Sequence, residues 1–143
     1  MAKFLLEIIT PERIAFSDNV EMVVAPSAIG TVGILKGHVP LFTRLIEGEV
    51  KIVKGGEEHF LAIGGGFLEV TPTNAKILVT SAYHAQEINE QEVLMARKRA
   101  EEALSSKPTG AALIEAQSLF RSSMIALKVL KRKRTRSSTN LPS

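Results

Sequence analysis

The feature that most constrains the fold is an abrupt change of pattern near residue 86. Up to that point, short apolar stretches are separated by Gly, Pro and Asp-Asn signals, which is typical of antiparallel strands joined by turns. Residues 89–105 then contain neither Gly nor Pro and consist largely of strong helix formers. The sequence therefore predicts a β domain over residues 1–86, a helical hairpin over residues 87–134 and a disordered basic tail over residues 135–143.

The first part contains many short strands at close and regular spacing. Predicted strands cover residues 4–9, 13–16, 20–25, 29–35, 41–53 (two strands that turn at Glu47-Gly48), 57–63, 67–71 and 75–81. Ser17-Asp18-Asn19 is predicted to form a turn, and Gly55-Gly56 the loop of a β-hairpin. This pattern favours an antiparallel β-sandwich or flattened barrel.

The second part predicts two helices joined by a loop over residues 105–110. Asn89 is placed to cap the first helix, since its side-chain oxygen can accept a hydrogen bond from a free backbone amide. The predicted facing surfaces are rich in small residues, which let helices approach closely but bury little apolar area. They comprise Val93, Ala96, Ala100 and Ala103 or Leu104 on the first helix, and Ala112, Ala116, Leu119, Ser123, Ala126 or Leu127, and Leu130 on the second. We therefore expect a hairpin that is weakly committed to one docked position.

The net charge of +3 is unevenly distributed. Six of the 18 Lys and Arg residues fall between Lys128 and Arg136, so the rest of the chain has 12 basic residues against 15 acidic ones. The basic pI therefore describes the tail and is poor support for a nucleic-acid-binding fold. No apolar run approaches the length of a membrane-spanning helix, and the start Met1-Ala2-Lys3-Phe4-Leu5-Leu6-Glu7 meets a charge too soon for a secretory signal.

The sequence offers little chemistry for catalysis or for a cofactor. Its three histidines, His38, His59 and His84, are far apart and the chain has no Cys, so no metal site is expected. Gly64-Gly65-Gly66 lacks the Lys-Ser/Thr and the helix of a phosphate-binding loop, and is predicted to be a bulge or a tight strand entry. We therefore expect a protein without an active site, metal or cofactor of its own.

Four segments of the chain resemble the epsilon subunits of rotary ATP synthases. They are Phe4-Leu5-Leu6-Glu7-Ile8-Ile9-Thr10-Pro11-Glu12, Gly33-Ile34-Leu35-Lys36-Gly37-His38-Val39-Pro40-Leu41, Gly65-Gly66-Phe67-Leu68-Glu69-Val70 and Ala96-Arg97-Lys98-Arg99-Ala100-Glu101-Glu102. They occur in the order and at the spacing of that family, across residues 4 to about 130. The resemblance implies a β-sandwich followed by a helical hairpin, as the pattern predicts. It also implies a non-catalytic subunit of the central stalk, which couples rotation of a membrane ring to ATP synthesis.

The resemblance also implies partners for particular residues. Gly37, His38, Val39 and Pro40 match the family segment near the rotor ring, and the β domain would hold the gamma subunit. The helices would extend to restrain ATP hydrolysis, and Lys131, Arg132, Lys133 and Arg134 would then meet an acidic segment of the catalytic beta subunit. We expect a peripheral protein at the cytoplasmic face of a bacterial inner membrane, associated with the membrane only through the complex.

One departure concerns ATP. Many bacterial members of the family carry Ile/Leu-Asp-x-x-Arg-Ala at the start of the first helix, a segment associated with ATP binding in some. Here Asn89 replaces the Asp and Glu92 replaces the Arg, which puts a carboxylate where a cation would meet phosphates. Asn89 and Arg121 remain as candidate contacts, and we predict weak or no ATP binding.

Two functions of other classes compete with the stalk subunit. A small nucleic-acid-binding β-barrel with a basic tail would need exposed aromatic residues that stack on bases. The chain has only six Phe and one Tyr, and most are predicted to face the core. A small enzyme would need a barrel pocket, whereas Phe60 and Phe67 are predicted to pack inside.

Overall fold

A computed structural model describes the backbone of residues 2–139 and the side chains of residues 2–132. The chain divides into two compact units, Met1–His84 and Ala85–Ser143. The division falls two residues before the predicted boundary at 86. Residues 140–143 of the predicted disordered tail lie outside the described residues.

The first unit is built from ten strands. They are β1 Phe4–Ile9, β2 Ile14–Val20, β3 Met22–Ser27, β4 Gly30–Ile34, β5 Leu41–Leu45, β6 Gly48–Lys54, β7 Glu57–Ile63, β8 Gly66–Val70, β9 Asn74–Val79 and β10 Ala82–His84. Their order across the sheet is β10-β7-β6-β3-β5-β8-β9-β1-β2, with β4 paired to β3. All pairs are antiparallel except β1 with β9. The predicted fold class, a β-sandwich or flattened barrel followed by a helical hairpin, is confirmed.

Alternating apolar residues of these strands form the core. β1 buries Phe4, Leu6 and Ile8 and leaves Leu5, Glu7 and Ile9 partly exposed. β6, β8 and β9 alternate in the same way, so one face of each strand is apolar. Each fully buried Leu or Ile contributes about 1.5–3 kcal/mol through removal of its side chain from water.

β2 closes the sheet on itself by approaching β6. Lys54, at the end of β6, donates a hydrogen bond to the Asp18 carboxylate on β2. Glu21 accepts a hydrogen bond of 2.8 Å from the Gly55 amide in the β6–β7 turn. Gly55 and Gly56 have φ of 59° and 77°, which is the backbone of the predicted hairpin loop.

Two details of the predicted strands are wrong. Ser17-Asp18-Asn19 does not form a turn but lies within β2, where these residues pair with Glu7, Leu6 and Leu5 of β1. Pairing along the whole of β1, together with the ion pair from Lys54, outweighs the local turn preference of three polar residues. The short strand β10 was also missed, because its three residues are too few to show an alternating pattern.

The glycine run 64–66 is a tight strand entry rather than a phosphate loop. A Cβ on Gly64 would overlap the Thr80 hydroxyl, and one on Gly66 would overlap the Leu78 carbonyl. The same segments are joined by hydrogen bonds from the Gly64 amide to Ser81 O (2.9 Å) and from the Thr80 amide to Gly65 O (3.1 Å). The glycines therefore permit two strands to approach closely.

The second unit contains a short 3-10 turn at Ala85–Glu87 and the helices α1 Glu90–Ser105 and α2 Gly110–Thr139. Asn89 caps α1 as predicted, because its Oδ1 accepts the Glu92 amide at 3.2 Å. Ser106 is the C-cap of α1, and Lys107 has the left-handed φ of 53°. The backbone of α2 continues to Thr139, beyond the hairpin boundary of 134 predicted from the sequence.

The contact between α1 and α2 is made of small side chains. Ala100 is completely buried, and Ala116 and Ser123 are almost so. Leu113, Phe120 and Leu127 are half-buried at spacings of three and four residues around them. The predicted inner face of α2 is therefore wrong at Ala112 and Leu119, which are exposed. Leu113 and Phe120 take the inner positions instead.

Candidate partner-binding site

An apolar row crosses the outer surface of five neighbouring strands. Ile14 of β2 pairs with Ile9 of β1, which pairs with Leu78 of β9, which pairs with Phe67 of β8. Phe42 of β5 completes the row by stacking on Phe67. We call these residues, Ile14, Ile9, Leu78, Phe67 and Phe42, the outer apolar row.

The row is exposed to an unusual degree for large apolar side chains. Phe42 is 67% exposed, Ile14 61%, Phe67 46% and Leu78 41%, while Ile9 is partly buried. Exposed apolar groups that adjoin one another, rather than lying singly, mark protein interaction surfaces. The outer apolar row is therefore the strongest candidate for a binding surface on the first unit.

The aromatic pair in the row corrects the sequence prediction for Phe67. The Phe42 and Phe67 ring centroids lie 5.5 Å apart with an angle of 18° between the ring planes. Phe67 faces outward because its neighbours in β8, Gly66 and Leu68, occupy the close-packed and buried positions. Phe42, Phe67 and Tyr83 are therefore exposed aromatic residues of the β domain, and the prediction that Phe67 packs inside is wrong.

Charges of both signs stand beside the outer apolar row. The next register position pairs Phe42 with Glu69, Glu69 with Lys76 and Lys76 with Glu7. Arg44, which is exposed, lies opposite Phe67. Carboxylates at this position repel a phosphate backbone, so the surface is suited to another protein rather than to nucleic acid.

The predicted ring-contact residues form an exposed loop between β4 and β5. Gly37, with a φ of 80°, donates its amide to Pro72 O at 3.0 Å, and His38 N donates to Leu35 O at 3.2 Å. His38 Nδ1 donates to Val39 O at 2.7 Å, since a carbonyl oxygen can only accept. The loop is thus fixed both by its own bonds and by the bond to Pro72, while Val39 is 71% exposed. It therefore presents an apolar side chain on a defined backbone.

The remaining predicted site residues lie on the helices. Lys131 and Arg132 are exposed on α2, whereas the side chains of Lys133 and Arg134 lie outside the described ones. Arg121 is exposed on the same helix. Asn89 uses its side-chain oxygen to cap α1. Asn89 and Arg121 remain predicted ATP contacts only.

The described part of the chain offers neither a metal site nor a membrane-spanning helix. It contains no group of three or more His, Asp and Glu residues that could hold a metal ion. None of its helices combines the length and apolar character needed to cross a lipid bilayer.

The fold and the outer apolar row together define a class of protein: a β-sandwich with a helical hairpin, whose most developed surface is suited to binding another protein. The family model described as "ATP synthase, Delta/Epsilon chain, beta-sandwich domain" matches residues 3–85. Curated relatives named "ATP synthase epsilon chain" match nearly the whole chain. The one from Dehalococcoides mccartyi strain CBDB1 is 42% identical over 94% of this chain and 96% of its own. The one from Herpetosiphon aurantiacus is 43% identical over 92% and 96%.

Solved structures share the fold at lower sequence identity. A chain in the structure of Euglena gracilis mitochondrial ATP synthase, described as OSCP/F1/c-ring in rotational state 1, has a TM-score of 0.72 at 22% identity, with 95% of this chain and 82% of that chain covered. A chain from the central stalk and c-ring of Tetrahymena thermophila mitochondrial ATP synthase has a TM-score of 0.58 at 17% identity, with 90% and 97% covered. The chain described here belongs to the family of ATP synthase epsilon chains.

Proposed function

We propose that this chain is a non-catalytic subunit of the central stalk, which couples rotation of the membrane rotor ring to ATP synthesis in the catalytic head. Membership of the epsilon family supports the proposal, and the outer apolar row is the single structural observation that carries it. The subunit would lie at the cytoplasmic face of a bacterial inner membrane, as part of a membrane-associated complex. In this account it supplies binding surfaces, and the chemistry belongs to other subunits.

The gamma subunit is the proposed partner of the outer apolar row. Aromatic side chains are enriched in the buried cores of protein interfaces, where they dominate the binding energy. Phe42 and Phe67 are already stacked, so little side-chain entropy is lost when a partner covers them. Arg44, Glu69 and Lys76 would form the polar rim that fixes orientation.

The loop from Gly37 to Pro40 is the proposed contact with the rotor ring. Hydrogen bonds to Pro72 and Leu35 fix its backbone, and the exposed Val39 offers an apolar contact to a neighbouring subunit. A contact that transmits torque must not deform easily, and a loop hydrogen-bonded to the neighbouring β8–β9 connection meets that requirement.

The helical hairpin is the proposed regulatory arm. Its seam is lined by Ala100, Ala116 and Ser123, whose small side chains bury little apolar area. Such a hairpin costs little free energy to open, which suits helices that extend to restrain ATP hydrolysis. Lys131, Arg132, Lys133 and Arg134 would then meet the beta subunit.

Binding to gamma by purified variants tests the proposal. We expect Phe42→Ser with Phe67→Ser to weaken binding to purified gamma at least about tenfold, because two aromatic anchors are lost. Tyr83→Ser is the matched control, since Tyr83 is an aromatic residue 51% exposed but outside the row. Equal affinity of both variants and the unchanged chain would contradict the assignment of the row to gamma.

A further inference from the structure

β2 and β10, the strands at the two ends of the sheet order, are joined by side chains that donate hydrogen bonds to main-chain carbonyls. Arg13, just before β2, donates from Nη2 to the Ala82 carbonyl of β10 at 2.7 Å. His84 of β10 in turn donates from Nε2 to the Ala15 carbonyl of β2 at 2.8 Å. Arg13 also lies over the Tyr83 ring, 6.0 Å from its centroid. Side chains thus occupy carbonyls of β2 and β10 that an added strand would need.

β4 is different. Within the described part of the chain it pairs with β3 alone, from Ser27↔Gly30 to Val23↔Ile34. Its sequence, Gly-Thr-Val-Gly-Ile, has neither a charge nor a proline, the two devices that usually protect an edge strand from pairing. The uncharged edge of β4 is therefore open to strand addition.

The register identifies which main-chain groups face that open edge. Pro26 pairs with Thr31, and its carbonyl accepts the Ile46 amide from the side away from β4. Pro26 and Thr31 therefore form a pair without mutual hydrogen bonds. Because bonded and unbonded pairs alternate in an antiparallel ladder, Gly30, Val32 and Ile34 bond to β3. The N–H and C=O groups of Thr31 and Gly33 point outward.

The surroundings of the edge also suit an added strand. Ile29 and Leu35, at the two ends of β4, are 86% and 49% exposed. A Cβ on Gly33 would meet nothing within 4 Å, so the face of the sheet is uncovered at this position. A glycine in a strand often marks the close approach of another backbone.

We propose that the open edge of β4 receives an extended, uncharged segment of a neighbouring stalk subunit, which adds to the sheet as a further strand. This inference rests on the proposed function, because it needs a neighbouring subunit. β4 joins β3, β3 joins β5 at Ser27↔Leu45, and β5 carries Phe42. The edge strand β4 and the strand that carries Phe42 are thus separated by β3 alone, and in this proposal one partner covers both the edge and the outer apolar row. The segment would bond to Thr31 and Gly33 and place apolar side chains against Ile29 and Leu35.

Hydrogen exchange tests the proposal on the unmodified protein. Exchange would be measured for the segment 29–35 in the free chain and in the purified ATP synthase complex. We expect the amides of Thr31 and Gly33 to exchange at least about tenfold more slowly in the complex, while Val32 and Ile34 are protected in both. Equal exchange of Thr31 and Gly33 in the two states would overturn the proposal. Protection in the free chain that rises with its concentration would also overturn it, since a second copy would then be the occupant.

Gly33 supplies a matched pair of variants. Gly33→Pro removes one outward donor without touching the bonds to β3, whereas Gly33→Ala keeps that donor and fits the open space. Binding of each variant would be measured to an ATP synthase complex from which this chain has been removed. We expect Gly33→Pro, but not Gly33→Ala, to bind roughly tenfold more weakly than the unchanged chain. Equal binding of the two variants would contradict the proposal. If the unmodified chain itself fails to enter the complex, the proposed function fails; if it enters with Thr31 and Gly33 unprotected, only the strand addition fails.

Discussion

At the scale of single residues, glycines show how much of a sequence pattern can be interpreted in advance. The run Gly64-Gly65-Gly66 predicts a tight strand entry, and the structure confirms it through the close approach of Thr80 and Leu78. The sequence could not say which glycine is indispensable, because that depends on strands distant in the chain. The structure separates Gly66, which faces a backbone carbonyl, from Gly65, which has ordinary space.

Alanine at these two positions should therefore have unequal effects. Gly66→Ala places a Cβ against the Leu78 backbone, which cannot move without breaking the β8–β9 ladder. We expect it to lower the free energy of unfolding by about 1–3 kcal/mol or more. Gly65→Ala should change it by less than about 1 kcal/mol, because the nearest atom is 3.6 Å away. Urea unfolding of both variants measures this, and equal losses would contradict the close packing at Gly66.

The Asp18–Lys54 pair should stabilise the β domain in a way that depends on pH. The hydrogen bond from Lys54 and that from the Asn19 amide hold the pKa of Asp18 below its ordinary value. A carboxyl whose pKa is lowered by folding contributes stability above its unfolded pKa, and loses it as the pH falls through the folded pKa. Asp18→Asn should therefore lower the melting temperature slightly at pH 7, and the difference should vanish well below pH ~4. An equal difference at every pH would contradict the ion pair.

At the scale of elements, it was easier to predict whether a segment forms a strand or a helix than to predict which of its faces is buried. Most of the predicted strands and the Asn89 cap are present in the structure, because they depend on local periodicity and local hydrogen bonds. The inner face of α2 was displaced at Ala112 and Leu119, because Leu113 and Phe120 are equally apolar and helical periodicity cannot choose between neighbours. The outer apolar row could not be predicted, since it joins residues of five strands through their register.

The end of α1 offers a stabilising change at this scale. Lys107 adopts a left-handed φ of 53°, and its amide donates to Leu104 O at 3.1 Å, as in a helix C-cap. Glycine takes this conformation without the steric cost borne by other residues. We expect Lys107→Gly to raise the stability of the hairpin by about 0.5–1 kcal/mol. Lys107→Ala, which removes the charge but keeps the Cβ, is the control in thermal unfolding, and equal stability of the two would contradict the backbone explanation.

At the scale of the whole molecule, the account assigns separate tasks to the two units. The β domain has a dense core and an exposed apolar row, and the hairpin has a seam of small side chains. The sequence predicts a boundary at residue 86, because strand and helix periodicities differ so clearly on either side of it, and the compact units of the structure divide between His84 and Ala85. Composition does not predict binding partners. The partners are expected only from the resemblance to epsilon subunits.

Removal of the basic end of α2 tests the regulatory part of the account. A chain that ends after residue 127 loses Lys128, Lys131 and Arg132 together with the residues that follow. We expect complexes containing it to hydrolyse ATP faster, because the proposed contact with the beta subunit is lost. The restraint by the full chain should also weaken at high salt, since exposed charges are screened beyond about 10 Å at 0.1 M. Unchanged hydrolysis would contradict an inhibitory role for this segment.

Cross-linking in the assembled enzyme tests the place of the chain in the stalk most directly. The chain has no Cys, so His38→Cys and Glu69→Cys each provide a unique attachment point, on the β4–β5 loop and beside the outer apolar row. After modification with a short photoactivated cross-linker, mass spectrometry of the products identifies the neighbour of each position. The account predicts products with the rotor-ring subunit from position 38 and with gamma from position 69. Products with neither subunit, from an enzyme that contains the labelled chain, would contradict it.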